Sequence, residues 1–450
     1  MIPFALASGL ITEKSGKQRE VRFIELEEHR LTFRTAEPLD QVARLEIFFY
    51  DDRVCTYDSV ILMHPYILEL DAERFCMEYE ISIADESYRK AVQKLDRSYY
   101  HYVTKKLEGD DAALAEDYTG YPAKLDEQMT LDFHKQSLGW FQETEAGDWG
   151  FIRTVREGGK RVEIALELDH PKLWRQYLAM DVDEFYREYW RSHELLNHPL
   201  AKQRLDRIYI GNQFCHHLFP AWAELEKLLD KAMEERRNIT LAFTYMRESK
   251  ISETEELLKK LEKWCINHHT NLELVLNDWG MLSLIREKRA VFLPVLGVLL
   301  NKRRKDPRMR YKIGMDTGES ILAENALNQG FFREYLKKEY GIERYEQESC
   351  GYRIHIPEGQ NSIHIPFYQT NTSQYCPLFA RCKEGNRGKQ YMAEHCPEYC
   401  SSYVFSYPDH LHMAGRYNSL FGYDDQILTG STRLPEYLAQ GLDRIVINLM

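Results

Sequence analysis

No apolar run in this 450-residue sequence approaches the roughly 18 residues that a membrane-crossing helix needs. The opening stretch, MIPFALASGLITEKSG, has no cationic segment ahead of its short apolar one, so it does not read as a secretory leader. The expected location is the cytoplasm, where thiols stay reduced. Basic charge is in short supply as well. With 59 Lys and Arg against 71 Asp and Glu, the formal net charge is −12. That balance argues against non-specific nucleic-acid binding, although a local basic patch could still provide it. Four signatures are missing: a P-loop, a G-x-G-x-x-G after a strand, a nucleophile elbow and an H-E-x-x-H helix. Their absence leaves nucleotide binding and peptidase chemistry without a motif to stand on.

What is present is enough to build sizeable cores. Hydrophobic residues make up 44% of the chain, and the length predicts about two to three domains. Residues 1–85 read as short alternating strands, among them Val21–Leu26, Arg30–Arg34 and Leu45–Phe49, separated by turns at Gly16, Pro38 and Asp51. This spacing predicts a small antiparallel β-barrel. From Ser87 to Glu108 the pattern becomes helical, with Tyr88, Val92, Leu95 and Tyr99 on one face. Residues 86–204 are expected to form a helical and mixed α/β connecting region. A strand pair is expected around Glu157-Gly158-Gly159, and a helix that starts at Pro171. The aromatic-rich stretch from Trp174 to Trp190 reads as an interdomain or oligomer contact surface.

From Leu205 onward, near-continuous apolar strands alternate with helices. Arg207–Ile210, Ile239–Thr244, Leu272–Leu276 and Val291–Gly297 are the clearest strands. Later strands are expected at 343–349, 363–368, 417–421 and 444–448. That alternation predicts a parallel β/α repeat, and the remaining length matches a (β/α)8 TIM-like barrel over residues 205–450. Active sites in such barrels form at the C-terminal ends of the strands. The polar groups expected there are Cys215, Tyr245, Asn277 and Asp278, the basic run Lys302–Lys305, and Asp424–Gln426.

Four of the nine cysteines, Cys376, Cys382, Cys396 and Cys400, fall within Gln374–Cys400 with the spacing C-x5-C-x13-C-x3-C. Disulfides, a zinc site and an iron–sulfur cluster could each account for thiolates this dense. A reduced compartment and an odd cysteine count disfavour disulfides. Structural zinc prefers tight C-x2-C knuckles, which this loop lacks, whereas a [4Fe–4S] cluster tolerates irregular spacing. Zinc remains the alternative. Strand order brings Cys215 to the same barrel face, which makes a shared metal centre plausible. Cys55, Cys76, Cys265 and Cys350 lie in apolar contexts and read as buried small hydrophobes. Asp278 could orient a substrate or act as a base, although an Asp at a barrel rim more commonly caps the following helix. The run containing Arg304 could bind an anionic small molecule or an RNA phosphate, or could simply be solvated.

Several of these pieces, taken together, resemble the collagenase-like peptidase superfamily and, within it, the UbiV-type proteins. They are Ile208-Tyr209-Ile210-Gly211-x-x-x-Cys215, Leu274-x-x-Asn277-Asp278-Trp279-Gly280, and Leu296-Gly297-x-x-Leu300-Asn301-x-x-x-x-Asp306-Pro307-Arg308. Ala380-Arg381-Cys382 with Cys396 and Cys400, and Gly441-Leu442-Asp443-Arg444, complete the set. The resemblance covers about residues 205–450. It implies a TIM-like barrel with a [4Fe–4S] cluster on four of Cys215, Cys376, Cys382, Cys396 and Cys400; the UbiV-type pattern leaves Cys376 as the spare, whereas other branches of the superfamily use a pair resembling Cys376 and Cys382. It also implies a role in oxygen-independent hydroxylation or modification of a small molecule or RNA base, with a second subunit of the same superfamily as possible partner. From their places at the strand ends, Asn277, Arg304 and Arg308 are the candidate substrate contacts and Asp278 the candidate catalytic group. The other readings are a peptidase, and a regulatory or docking protein with a structural metal. Residues 1–85 weakly resemble a PilZ domain. Arg19 and Arg22 are spaced one residue too close for its arginine pair, and the Glu25–Arg30 turn carries acids where a phosphate would sit. Cyclic di-GMP binding is therefore not expected.

Overall fold

A computed structural model describes residues 7–51, 56–73, 76–107, 127–142, 149, 162–288, 290–305, 322–384, 392–407, 411–429 and 433–450. The chain divides into two units, Met1–Lys124 with Asp306–Ala323, and Leu125–Lys305 with Glu324–Met450.

The first unit holds seven strands: β1 (Ala7–Glu13), β2 (Gln18–Glu27), β3 (Arg30–Thr35), β4 (Val42–Asp51), β5 (Thr56–Met63), β6 (Ile67–Glu73) and β7 (Cys76–Ser82). They form one antiparallel sheet in the order β5-β4-β1-β2-β3-β7-β6. Alternation puts Ile11, Leu31, Phe33, Leu45, Ile47 and Ile81 into one core. Helix α1 (Glu86–Leu107) closes that core with Tyr88, Val92 and Leu95. This corrects the expected boundary at residue 85, because burial of its apolar face ties α1 to the sheet rather than to a connecting region. The closed small barrel is also not what forms. The end strands β5 and β6 share no ladder among the described residues.

The second unit begins with α2 (Glu127–Gln142) and then builds a closed barrel of eight parallel strands. In chain order these elements are β8 (Glu163–Leu168), α3 (Pro171–Ala179), α4 (Val182–Ser192), β9 (Arg207–Gly211), α5 (Trp222–Glu234), β10 (Asn238–Ala242), α6 (Ile251–Asn267), β11 (Leu272–Leu276), α7 (Trp279–Ile285) and β12 (Phe292–Leu296). They continue with α8 (Gly330–Tyr335), β13 (Arg344–Glu348), β14 (Gln360–Thr372), α9 (Pro377–Glu384), β15 (Phe405–Ser406), β16 (Met413–Arg416), β17 (Ser419–Tyr423), α10 (Arg433–Gln440) and β18 (Leu442–Asn448). The ring runs β8-β9-β10-β11-β12-β13-β14-β18 and closes back onto β8, each pair parallel. No helix joins β13 to β14.

Two expectations change here. The barrel opens at Glu163, upstream of residue 205, because β8 supplies the ladder between β9 and β18. The strand expected at 417–421 lies outside the ring. β17 pairs antiparallel with the outer half of β14, and β16 and β15 extend that ribbon. The aromatic stretch from Trp174 to Trp190 is core, not contact surface. Trp174, Tyr177, Phe185, Tyr186, Tyr189 and Trp190 are all buried, and Trp174 Nε1 donates to Leu168 O at 2.6 Å. The hairpin expected around Gly158 lies outside the described residues. Among the described residues no helix is long and apolar enough to cross a membrane.

Side chains pointing into the barrel form layers set by the two-residue strand period. A waist of Ala165, Tyr209, Ala242, Val275, Val295 and Val446 is mainly apolar. Toward the strand starts, the fully buried Arg444 guanidinium binds Glu163 at 2.8 Å, Glu273 at 2.7 Å and Tyr209 Oη at 2.9 Å. Toward the strand ends the lining is again polar, and this is the face where the cysteines collect.

Candidate functional site

The Cys215 turn is fixed by two residues. Gly211 ends β9 at φ +107, a left-handed conformation, and a Cβ there would meet Ala242 O at 2.6 Å. Glycine is the residue that tolerates both constraints. Asn212 Oδ1 then accepts from Phe214 N at 2.8 Å and Cys215 N at 2.9 Å, while its amide donates to Asp169 O at 3.1 Å. The long cysteine loop is tied down at both borders. Asn418 Nδ2 donates to Phe214 O at 2.8 Å and to Ser373 O at 2.5 Å. Tyr245 Oη donates to Ser373 O at 3.3 Å, and Arg247 to Gln374 O at 2.5 Å. Farther along the loop, His217 Nε2 meets Ala393 O at 2.9 Å. The ends of β9 and β10 thus hold the loop that β14 throws out, at the C-terminal mouth of the barrel.

Five thiols share this mouth, and Cys396 adds to the rise in the pKa of each of the other four. Burial, with Cys376 and Cys396 adding to it, pushes Cys215 up to about 12. Cys376 is pushed up to about 11 by burial, with Cys396 and Cys382 adding. Burial raises Cys400, Arg416 opposes the shift, and Cys215, Cys376 and Cys396 add to it. Burial also raises Cys382, against Arg381 and with Cys396. Cys396, itself raised by burial, is the thiol that each of the other four senses. Buried sulfurs that repel one another's ionisation are the donor chemistry a thiophilic cation would stabilise as thiolates. Among the described residues, no three His, Cys, Asp or Glu side chains are grouped as ligands of one ion. Residues 385–391, between Cys382 and Cys396, lie outside the described set.

The individual sulfurs differ in their contacts. Cys376 Sγ donates to Tyr417 O at 3.1 Å, a use suited to a protonated thiol. Cys396 Sγ accepts from Glu398 N at 3.4 Å. Cys400 Sγ lies 4.0 Å from His170 Nε2. Burial holds that imidazole neutral by lowering its pKa to about 3. Beside them, Tyr417 Oη donates to Asp169, which also accepts from Asn448 at 3.1 Å.

Inside the same mouth lies a constellation that sequence reading missed. His364 is held between two buried carboxylates, with Nδ1 at 3.0 Å from Glu167 and Nε2 at 2.7 Å from Glu346. Burial alone would lower its pKa, but Glu167 and then Glu346 outweigh that and push it up to about 10. Gln213 bridges to Glu167 at 3.3 Å and accepts from Asn277 at 3.2 Å. The sequence signal was faint: His364 is the one basic residue of β14, and Glu167 and Glu346 share their strands with other charged residues.

The remaining expected site residues fall as follows. Asp278 caps α7 by accepting from Gly280 N at 2.6 Å. Asn277 is buried and clasps three strands, donating to Phe243 O at 2.8 Å and accepting from Leu299 N at 2.8 Å. Gly297 exists to admit it, since a Cβ there would meet Asn277 Oδ1 at 2.3 Å. Arg304 O accepts from Tyr352 Oη, and Arg308 lies outside the described residues. Lys305 of the basic run is not solvated, because it pairs with the buried Glu348. Cys265 and Cys350 are buried as expected, and Cys55 lies outside the described residues. In the first unit Arg19 is engaged by Glu13 at 3.1 Å and Glu37 at 2.9 Å. No family model, no curated protein and no solved structure matches this chain.

Proposed function

We propose that this protein is a TIM-like (β/α)8 barrel of the collagenase-like peptidase superfamily that holds a [4Fe–4S] cluster and supports oxygen-independent hydroxylation of a small molecule or RNA base. The observation that supports this reading is that the Cys215 turn and the loop bearing Cys376, Cys382, Cys396 and Cys400 meet at one barrel mouth, joined by Asn418 to Phe214 O and Ser373 O and by His217 to Ala393 O. The residues that would hold the cluster are Cys215, Cys382, Cys396 and Cys400. Cys376 is the spare, a role that suits its S–H bond to Tyr417 O. When bound, such a cluster supplies one-electron chemistry. An all-cysteine cluster leaves no open iron position, so substrate contact falls to protein groups or to a second subunit. Around the cluster, Asp169, Tyr417 and Asn448 form a hydrogen-bonded chain that orders the mouth. His364 holds a proton between Glu167 and Glu346.

Anaerobic purification followed by an absorption spectrum tests this reading. A brown protein with broad visible absorption is the expected outcome. A colourless protein that retains zinc overturns it in favour of a structural metal.

A further inference from the structure

One cavity is left unused by the thiol mouth. Between the ends of β9 and β10 and the first turns of α5 and α6 lies a cavity of about 620 Å³, within the range of small-ligand sites. One wall is aromatic: Phe219 and Phe243 stack with centroids 4.6 Å apart, and Trp222 lies beside them. The opposite chemistry enters through the helix starts. The 13-residue α5 and the 17-residue α6 both begin at this cavity, α6 led in by a 3-10 turn at Glu248–Lys250, and neither α5 nor that turn carries a side-chain cap. Two uncapped N-termini bring partial positive charge to one place, the usual setting for an anion.

Side chains reinforce this bias. Arg247, Lys250 and Lys260 line the cavity against Glu253 and Glu256, and Lys250 is already engaged by Glu253 at 2.9 Å. Arg247 spends one nitrogen on Gln374 O, while its buried Nε has no protein partner. Thr244, 8% exposed, carries a buried hydroxyl with no protein partner, and so does the Nδ1 of His216. Three polar atoms of wall residues thus lack a protein partner, and buried polar groups are ordinarily satisfied.

We propose that this cavity binds a small ligand made of a flat ring and one anionic group. The ring packs against Phe219 and Phe243, and the anion lies between the two helix starts with Arg247 and Thr244. Asn212 and His216 of the wall flank Cys215 in sequence, so the ligand sits beside the thiol mouth. The site is built from groups that need no metal, and it stands whether or not a cluster is bound.

Calorimetric titration of the anaerobically purified full chain with phenyl phosphate tests this. Inorganic phosphate and benzyl alcohol probe the anion and the ring separately. Saturable binding of one phenyl phosphate per chain is expected, with each half-probe weaker by roughly tenfold or more. Thr244→Val and Arg247→Gln are each expected to weaken binding by roughly ten- to a hundredfold, with the thermal midpoint unchanged in Thr244→Val and lowered in Arg247→Gln by loss of the tie to Gln374 O. No saturable heat with phenyl phosphate, equal binding of inorganic phosphate, or unchanged affinity in both variants overturns the proposal. Iron content is measured on the same samples. Phenyl phosphate binding by iron-free protein supports the pocket while removing the cluster reading.

Discussion

Replacing His364 with glutamine removes the cation held between Glu167 and Glu346. The two ion pairs that this breaks span 3.0 Å and 2.7 Å, and the two carboxylate side chains are 8% and 0% exposed, so water cannot take over. Breaking a buried pair from one side costs about 3–5 kcal/mol, because uncompensated charge stays behind. For a unit of this size that corresponds to a fall in thermal midpoint of roughly 5–8 °C. The sign with pH follows from the direction of the shift. The His364 pKa is raised from 6.5 to about 10, so the stabilisation is complete below pH 6.5 and is lost as pH rises toward and through about 10. Unfolding in urea, measured from pH 6 to pH 10 for parent and His364→Gln, reads both effects. The gap between the two proteins should be widest at the acidic end and narrow steadily. The double variant His364→Gln/Glu346→Gln should recover part of the loss, since it removes one stranded carboxylate. A gap under about 1 kcal/mol, or one that does not change with pH, would refute the assignment of an imidazolium to the barrel mouth.

The opposite end of the barrel gives the opposite pH sign. Glu163 and Glu273 are each held down to about 2, because Arg444 with Arg207 overcomes the rise that burial alone would cause. Their stabilisation is present above about pH 4.5 and is lost as pH falls toward 2, so urea midpoints should decline below pH 4.5. Arg444→Met should cost about 3–5 kcal/mol at neutral pH and flatten that decline, and an unchanged slope would contradict the network. Asp278→Ala should lose about 1 kcal/mol through its helix cap and leave metal content untouched. A loss of metal in that variant would return Asp278 to the site.

Strands rich in apolar residues were legible in the sequence, and Leu272–Leu276 was bounded correctly because four of its five residues are apolar. Strand β8 was not recognised as part of the ring. Its inward residues include Glu163 and Glu167, and a Gly-Gly turn just before it made a local hairpin the simpler reading. The same feature hid the interior chemistry. Arg444, Glu346 and His364 look like solvated residues until the barrel closes and turns them inward. Helix α1 was legible as a helix but not as part of the first core, since amphipathicity names a buried face without naming what covers it. Strand order suggested that Cys215 and the cysteine loop share a barrel face, because both follow strands of one parallel barrel, but the sequence did not guarantee that they meet. The cavity beside Cys215 was not, because it depends on two missing helix caps and on the packing of Phe219 against Phe243.

The cluster reading depends on sulfur gripping iron at the barrel mouth, and the iron and acid-labile sulfide bound per chain after anaerobic purification measure that directly. The account predicts about four of each, retained in Cys376→Ala and lost in Cys396→Ala and Cys215→Ala. Parent protein without iron and sulfide, or a Cys396→Ala variant that keeps its full complement, would contradict it.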